Sequence, residues 1–318
     1  MSFVLCVGEA LIDFVGQSHV RDIGASESFH RAAGGAVANV AVGMARLAGE
    51  AHFAGALSRD AFGRYLLRTL AWENVNVDGV RTVDAPTTLA FVARGEDGER
   101  DFLFVRNPGA DSLLEAADID MHKLARARIV HFGGVLLSSE PARSACFAAA
   151  ASARRARVLV SFDPNVRAAL WQSREEMKRI TLAGCANATL VKLSEDDLVE
   201  LEIDPSNVGA LFNESTRVVI VTRGARGAAF FTSAGDQGDA PALPIEPVDT
   251  TGAGDAAMSA ILWRLAHRHC ELSRDVLAEA IRYANAAGGL ASMREGAIPS
   301  LPTAEQVEAV LPRLPHPS

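Results

Sequence analysis

Cysteine is scarce here: four residues among 318 (Cys6, Cys146, Cys185 and Cys270), with no C-x-x-C pair. Thiols scattered in this way are reduced core residues, not a disulfide framework or a metal knuckle, and point to a cytosolic chain. No apolar run approaches the about 20 residues that a membrane span needs. The apolar start Phe3–Val7 has no basic residue before it and meets Glu9 and Asp13 within a few positions, unlike a signal peptide. A soluble, cytoplasmic protein with no membrane partner is therefore expected. Positive charge is also short. Lys plus Arg number 31 against 39 Asp plus Glu, a net charge of -8. Such a chain repels nucleic acid in bulk, so any anion site must be local. Only Lys123, Lys178 and Lys192 supply lysine, and none follows a glycine, which closes the Gly-Lys-Ser/Thr phosphate loop.

What is present is apolar: 49% of residues are hydrophobic and 22% charged, too few charges for a disordered chain. Buried-strand runs occur at Phe3–Val7, Ile129–Phe132, Val158–Phe162, Thr189–Leu193 and Val218–Thr222. Helical patterns at Ala36–Leu47, Arg143–Ala153, Ser173–Leu182 and Ala253–His267 lie among them. Alternation of this kind predicts βαβ units, a mainly parallel sheet and an α/β fold. One stretch breaks the rhythm. The β-rich runs Thr87–Arg94 and Arg100–Arg106 flank a short Gly/Asp loop and predict a hairpin. With Leu11–Val20 it forms a small sheet, which the pattern alone leaves as either an edge extension or a lid. The three-proline tail Pro312–Ser318 is expected to fray.

The segment with most chemistry is Val248-Asp-Thr-Thr-Gly-Ala-Gly-Asp-Ala256, leading into an apolar helix. Glycines at a helix start let backbone amides converge on an anion, aided by the helix dipole. Asp255 then falls in the first turn, where a carboxylate suits accepting a proton from a hydroxyl that attacks a phosphate. A bare helix cap is the alternative for a lone G-x-G. A dinucleotide fingerprint is disfavoured, because that motif follows the first strand of a βαβ unit and this one lies near the C-terminus. Gly34-Gly-Ala-Val-Ala-Asn39 opens another helix, and Asp13 follows the first strand. His267-x-His269-Cys270 has metal-like residues, but positions i and i+2 on a helix face different ways.

Asp249-Thr-Thr-Gly-Ala-Gly-Asp255 resembles the C-terminal signature of the ribokinase-like sugar kinases, the PfkB carbohydrate kinase family. Gly34–Asn39 followed by Gly55-x4-Asp60-x-Phe62-Gly63 resembles their N-terminal signature. The likeness runs from Gly8-Glu-Ala-Leu-Ile-Asp13 to Gly296-Ala-Ile-Pro-Ser300. It implies one ribokinase-like domain over 1–318, a three-layer α/β/α sandwich with a small β-sheet lid built from about 11–20 and 87–106. It also implies transfer of the γ-phosphate of ATP to a sugar hydroxyl. Asp255 would be the base, and the amides of Gly252, Ala253 and Gly254 the anion hole.

By the same resemblance Asp13, Gly34, Gly35 and Asn39 hold the sugar, with Phe104, Arg106 and Arg167 completing its pocket. The pattern Asp-x-Asn-x-Arg-x-x-Leu-Trp stands intact from Asp163 to Trp171 and sets Asn165 near the phosphates and magnesium. Lys192, Ser194, Thr222, Gly224, Gly227 and Asn285 fall on the nucleotide side. Ser194-Glu-Asp-Asp197 departs from the Asn-x-x-Glu of many members, which puts the surroundings of Mg2+ in doubt. Asp249, Thr251, Ala291, Arg294, Gly296 and Ser300 match a monovalent-cation (K+) site of relatives. A homodimer through the lid is implied by analogy.

For the substrate, Gly8-Glu-Ala-Leu-Ile-Asp-Phe14, Arg106-Asn-Pro-Gly-Ala-Asp111 and Leu137-Ser-Ser-Glu-Pro141 are most similar to bacterial fructokinases. The rivals are 2-keto-3-deoxygluconate kinase, whose substrate carboxylate Arg106 and Arg167 would clamp, and aminoimidazole riboside kinase. The first rival uses lid tyrosines. Here Tyr65 and Tyr283 lie outside the hairpin, which offers Phe91, Phe102 and Phe104. A non-catalytic sugar or nucleotide sensor is the reading from another class.

Overall fold

Phe3-Val-Leu-Cys-Val7 is apolar without interruption, as a strand covered on both faces must be. In the computed structural model, which describes residues 3–16, 22–95 and 100–314, it is the strand β1 (Phe3–Val7) near the middle of the main sheet. The following elements are β2 (Leu11–Gly16), β3 (Phe29–Gly34), α1 (Ala36–Arg46), β4 (Glu50–Ser58), α2 (Ala61–Trp72) and β5 (Asn76–Val83). Then come β6 (Leu89–Arg94), β7 (Arg100–Val105), α3 (Met121–Leu124), β8 (Ile129–Gly133), α4 (Ala142–Arg155) and β9 (Leu159–Asp163). The remainder are α5 (Arg174–Ala186), β10 (Leu190–Ser194), α6 (Glu195–Glu200), β11 (Val218–Thr222), β12 (Ala228–Thr232), β13 (Gln237–Ala240), α7 (Ala253–His267), α8 (Arg274–Ala291) and α9 (Ala304–Val310).

The main sheet has the order β13-β12-β11-β10-β9-β8-β1-β4-β5. All its pairings from β11 to β5 are parallel, and the β11–β12–β13 meander adds the antiparallel ones. Successive side chains of β1 go to opposite sides. Val4 and Cys6 enter a core shared with α1, α2, α7, α8 and α9, while Phe3, Leu5 and Val7 enter one shared with α3, α4, α5 and α6. The expected three layers follow. Strand order reverses at β1, with β4 on one side and β8 on the other, and ligands of open α/β sheets collect outside the strand ends at such a point.

The second sheet, β3-β2-β6-β7, is the expected small sheet. Its hairpin β6–β7 is antiparallel, and β2 joins β6 in parallel. Register sets Asp13, Ala90 and Phe104 in one row and Val15, Val92 and Phe102 in the next, both on the face towards the site. Phe91 is on the other face, stacked on Phe14 at 5.1 Å, so it is not a pocket residue. Of the expected segments, residues 17–20, the hairpin loop 96–99 and the tail 315–318 lie outside the described residues. Strand β3 is an addition: Phe-His-Arg-Ala-Ala-Gly carries too little apolar periodicity to announce itself. Among the described residues no helix is long and apolar enough to cross a membrane.

Candidate functional site

Two cavities open along the carboxyl ends of the main strands. The larger, about 720 Å³, is lined by Lys192, Ser194, Thr222, Gly224, Gly227 and Asn285, all expected on the nucleotide side. The smaller, about 110 Å³, takes in Asp13, Gly35, Asn39 and Phe104, expected on the sugar side. Asn165, Arg167, Gly252 and Asp255 line both. The acid singled out by its place after a G-x-G turn therefore stands at the junction of the two spaces.

The turn itself explains that placement. Gly252 caps α7 with φ +80°, a left-handed conformation that L residues adopt at a cost, and a Cβ there would press on Ala297 Cα at 2.9 Å. Asp255 follows in the first turn, only 7% exposed. Its Oδ2 accepts from Asn39 Nδ2 at 2.8 Å. Burial pushes its carboxyl up to about 6; the Asp163 charge adds to this, and Asn39, Lys192 and Arg167 oppose it. A carboxylate poised near neutrality is suited to proton abstraction. Of the three expected anion-hole amides, that of Ala253 turns back on the Thr250 carbonyl at 3.2 Å, which leaves Gly252 and Gly254 as the leading pair.

Behind this helix start, Lys192 Nζ pairs with Asp163 Oδ2 at 2.7 Å, both side chains buried. Burial works against the lysine's charge, but Asp163 and Asp197 outweigh it and hold its pKa above the usual value. A Cβ at Gly254 would stand 3.4 Å from that Nζ, so the ammonium lies against the glycine turn. Asn165 bends the chain after β9 with φ +40°, a left-handed conformation that asparagine tolerates better than most residues. Ser194 and Asp197 satisfy each other as a capping box on α6, and Asp197 Oδ1 also takes the Val166 amide at 2.7 Å. Thr222 Oγ1 donates to the Leu193 carbonyl at 3.3 Å. Asn285 donates to the Ala240 and Pro241 carbonyls, fixing the loop that walls the larger cavity. Gly227 turns at φ +84° where a Cβ would strike the Ala240 oxygen at 2.0 Å.

On the sugar side, Asp13 sits on the lid strand β2 and not on the main sheet. Gly34 stands behind it: a Cβ there would fall 2.0 Å from Asp13 Oδ2. Gly34→Ala should therefore displace the carboxylate and raise sugar KM by about tenfold or more, with a smaller change in nucleotide KM, as steady-state kinetics would show. Gly35 adopts φ +103° beneath the Glu9 carbonyl. Asn39 Oδ1 has no hydrogen-bond partner among the described residues and can accept from a sugar hydroxyl. Arg167 holds its guanidinium 5.3 Å above the Phe102 ring and donates to the Val166 carbonyl at 2.9 Å.

Two findings depart from the sequence reading. Arg106 lines neither cavity; its guanidinium pairs with Asp111 and donates to Ser138 Oγ, so its charge is already matched within the protein. Glu9, by contrast, went unnoticed. It is 0% exposed at the end of β1 and lines the smaller cavity, with Oε1 accepting from the Val37 amide at 3.3 Å and Oε2 unpartnered among the described residues. An acid two residues beyond an apolar strand was its only signal. Burial pushes its carboxyl up to about 7. The Asp13 carboxyl also rises to about 7, from burial and then the Asp255 charge.

These three acids bind protons more tightly folded than unfolded. Their contribution to stability therefore falls as pH climbs from the ordinary carboxylate range towards 7. Urea melts of the sugar-free protein should give a higher midpoint at pH about 5.5 than at pH about 8, and Asp13→Asn should flatten part of that slope.

The suggested cation residues come together as well. Asp249 Oδ1 accepts from the Thr251 amide and hydroxyl, and Oδ2 from the Gly296 amide at 2.9 Å, tying the 249–251 turn to the 291–300 segment. Ser300 is buried and donates to the Ala297 carbonyl. Among the described residues no group of three or more His, Cys, Asp or Glu side chains is placed to hold a metal ion alone.

The family model for pfkB family carbohydrate kinases matches residues 1–304. A probable fructokinase-6, chloroplastic, from Arabidopsis thaliana is 41% identical over 316 residues, 97% of this chain and 82% of that protein. Among solved structures, a fructokinase with bound ATP from Xylella fastidiosa superposes with a TM-score of 0.89 at 31% identity, covering 98% of both chains. A Vibrio cholerae fructokinase in its fructose-, ADP- and calcium-bound form gives 0.86 at 30% identity, covering 98% of this chain and 99% of that one.

Proposed function

The chain belongs to the pfkB family of carbohydrate kinases, and from that premise we propose that it phosphorylates fructose with ATP, Asp255 acting as the base. The observation that carries the reading is the meeting of a nucleotide-sized and a sugar-sized cavity at that one carboxyl.

In this mechanism a hydroxyl oxygen of the sugar forms a bond to the γ-phosphorus while the bond from that phosphorus to the β–γ bridging oxygen breaks. ADP leaves, and the hydroxyl proton passes to Asp255 Oδ. Asp13 and Asn39 orient the acceptor, and Phe102, Phe104 and the rest of the small sheet exclude water. The Gly252 and Gly254 amides, the α7 dipole and Lys192 stabilise charge on the transferring group. Most of the barrier lowering comes from positioning and charge neutralisation rather than from the base.

Oxygen donors near the phosphate end include Asn165, Ser194, Glu195, Asp196 and Asp197 on the cavity lining, and Asp163, whose Oδ1 has no hydrogen-bond partner among the described residues. Such a set suits Mg2+, which keeps waters and phosphate oxygens and needs little from the protein. When bound, magnesium neutralises phosphate charge. For K+, the Asp249 carboxylate and the carbonyls of Ala291, Arg294 and Ser300 are of the right donor type, and a structural role in bracing the anion-hole turn fits their place. The exposed Leu103 and Val105 on the edge strand β7 support a homodimer through the lid. We take 1–318 as a single kinase domain working in the cytoplasm.

The test is a coupled ADP-release assay with ATP and magnesium, run on fructose, 2-keto-3-deoxygluconate, ribose and aminoimidazole riboside. Fructose should give the highest kcat/KM. Binding of sugar without any turnover would favour a sensor and sink the kinase reading.

A further inference from the structure

Directly behind the sugar cavity lies a buried ion pair. Arg106 Nη2 is 2.8 Å from Asp111 Oδ2, with the two side chains 7% and 1% exposed. Asp111 Oδ1 also accepts from Thr88 Oγ1 at the base of β6. Arg106 Nη1 donates to Ser138 Oγ at 2.7 Å and reaches the Val135 carbonyl at 3.5 Å. Val135 lines the sugar cavity, and Arg106 follows β7, whose Phe102 and Phe104 line it too. Glu9, on the cavity wall, feels both members of the pair: Asp111 opposes its ionisation and Arg106 favours it. The pair is thus electrically part of the wall while lining no part of the space.

The ionisable groups that line the cavity are Glu9, Asp13, Asp255 and Arg167, three acids to one cation. Arg167 already donates to the Val166 carbonyl. With Arg106 matched by Asp111, a substrate carboxylate entering here would lose its hydration and meet an excess of acid. Once Asp111 lost its charge, the unmatched Arg106 guanidinium behind the Val135 wall would favour an anion in the cavity through its field, not by contact. We propose that Asp111 determines specificity: by pairing with Arg106 it reserves the pocket for uncharged sugars and turns sugar acids away. This deepens the sugar-kinase reading and rests on it.

The full-length protein serves for the test. Binding constants are measured by calorimetry for 2-keto-3-deoxygluconate and for its uncharged carboxamide, alongside fructose turnover. The wild type should bind the acid at least about 30-fold more weakly than the amide; equal binding would overturn the proposal. Asp111→Asn keeps the shape and the acceptor for Thr88 but removes the charge. It should cut that ratio at least about tenfold while fructose KM moves by less than about threefold, and Asp111→Glu should retain the wild-type ratio. A ratio unchanged in Asp111→Asn would equally overturn it. If melting shows that variant unfolded, the wild-type ratio and the Asp111→Glu ratio decide. Absence of fructose turnover in the wild type would count against the kinase reading alone, since the binding ratio is still measured.

Discussion

Replacing Asp255 by asparagine should lower kcat by about 10²–10⁴ and leave sugar KM close to its wild-type value. The substitution keeps an oxygen that can accept from Asn39 Nδ2, so the contact that orients this side chain survives. What disappears is the capacity to take a proton. The wild-type kcat/KM should rise with pH through about 6, as the raised carboxyl of Asp255 ionises, and then level off. In Asp255→Asn that limb should be missing. Stability should not suffer, because a desolvated acid has been replaced by a neutral group, and the urea midpoint at pH about 8 should match or exceed that of the wild type. Loss of less than about tenfold in kcat would remove Asp255 from its role. A matching rise in sugar KM would turn it into a binding group.

Lys192→Met should be the most destabilising single change at the site, by about 3–5 kcal/mol, since it leaves the Asp163 carboxylate buried without its counter-ion. Asp163 Oδ1 has no other partner among the described residues to share that load. The stranded carboxyl would be driven to bind a proton, so the loss should be larger at pH about 8 than at pH about 5. Removing both charges, as in Lys192→Met with Asp163→Leu, should restore a large part of the stability but little of the activity, because the ammonium beside Gly254 is gone in both. Urea denaturation of the two single variants and the double variant measures the coupling. An additive cycle would mean that the pair contributes nothing as a pair.

The parts of this molecule that could be read in advance are those with local causes. β1 declares itself by an unbroken apolar run, α7 by two glycines before one, and the lid hairpin by two β-rich runs around a Gly/Asp loop. Strand β3 gave no such sign, since its six residues are one aromatic, two polar and three small, and it is extended through its pairing with β2. The nearness of Asn39 to Asp255, 216 positions apart, follows from the packing of α1 on α7, where Gly43 allows Ser259 to approach. Signature residues supplied that pairing by likeness; nothing local does. Arg106 is the instructive miss. An arginine at the end of a lid strand looks available to substrate until the three-dimensional position of Asp111 is known, and five positions of separation do not reveal it. Glu9 was missed for the opposite reason: acids after strands are usually solvated, and only burial tells this one apart.

Asp13 rides on β2, a strand of the covering sheet, and not on the rigid strands beneath. In the proposed mechanism, the group that orients the acceptor and the roof that excludes water therefore belong to one sheet, β2 pairing with β6 and β6 with β7. Whenever the roof is displaced, the grip is displaced with it, and the γ-phosphoryl group then faces no oriented nucleophile. When the roof is down, the acceptor already fills the space a water molecule would need. In the proposed mechanism, loss of the γ-phosphoryl group to water would thus be limited by the same small sheet that carries Asp13.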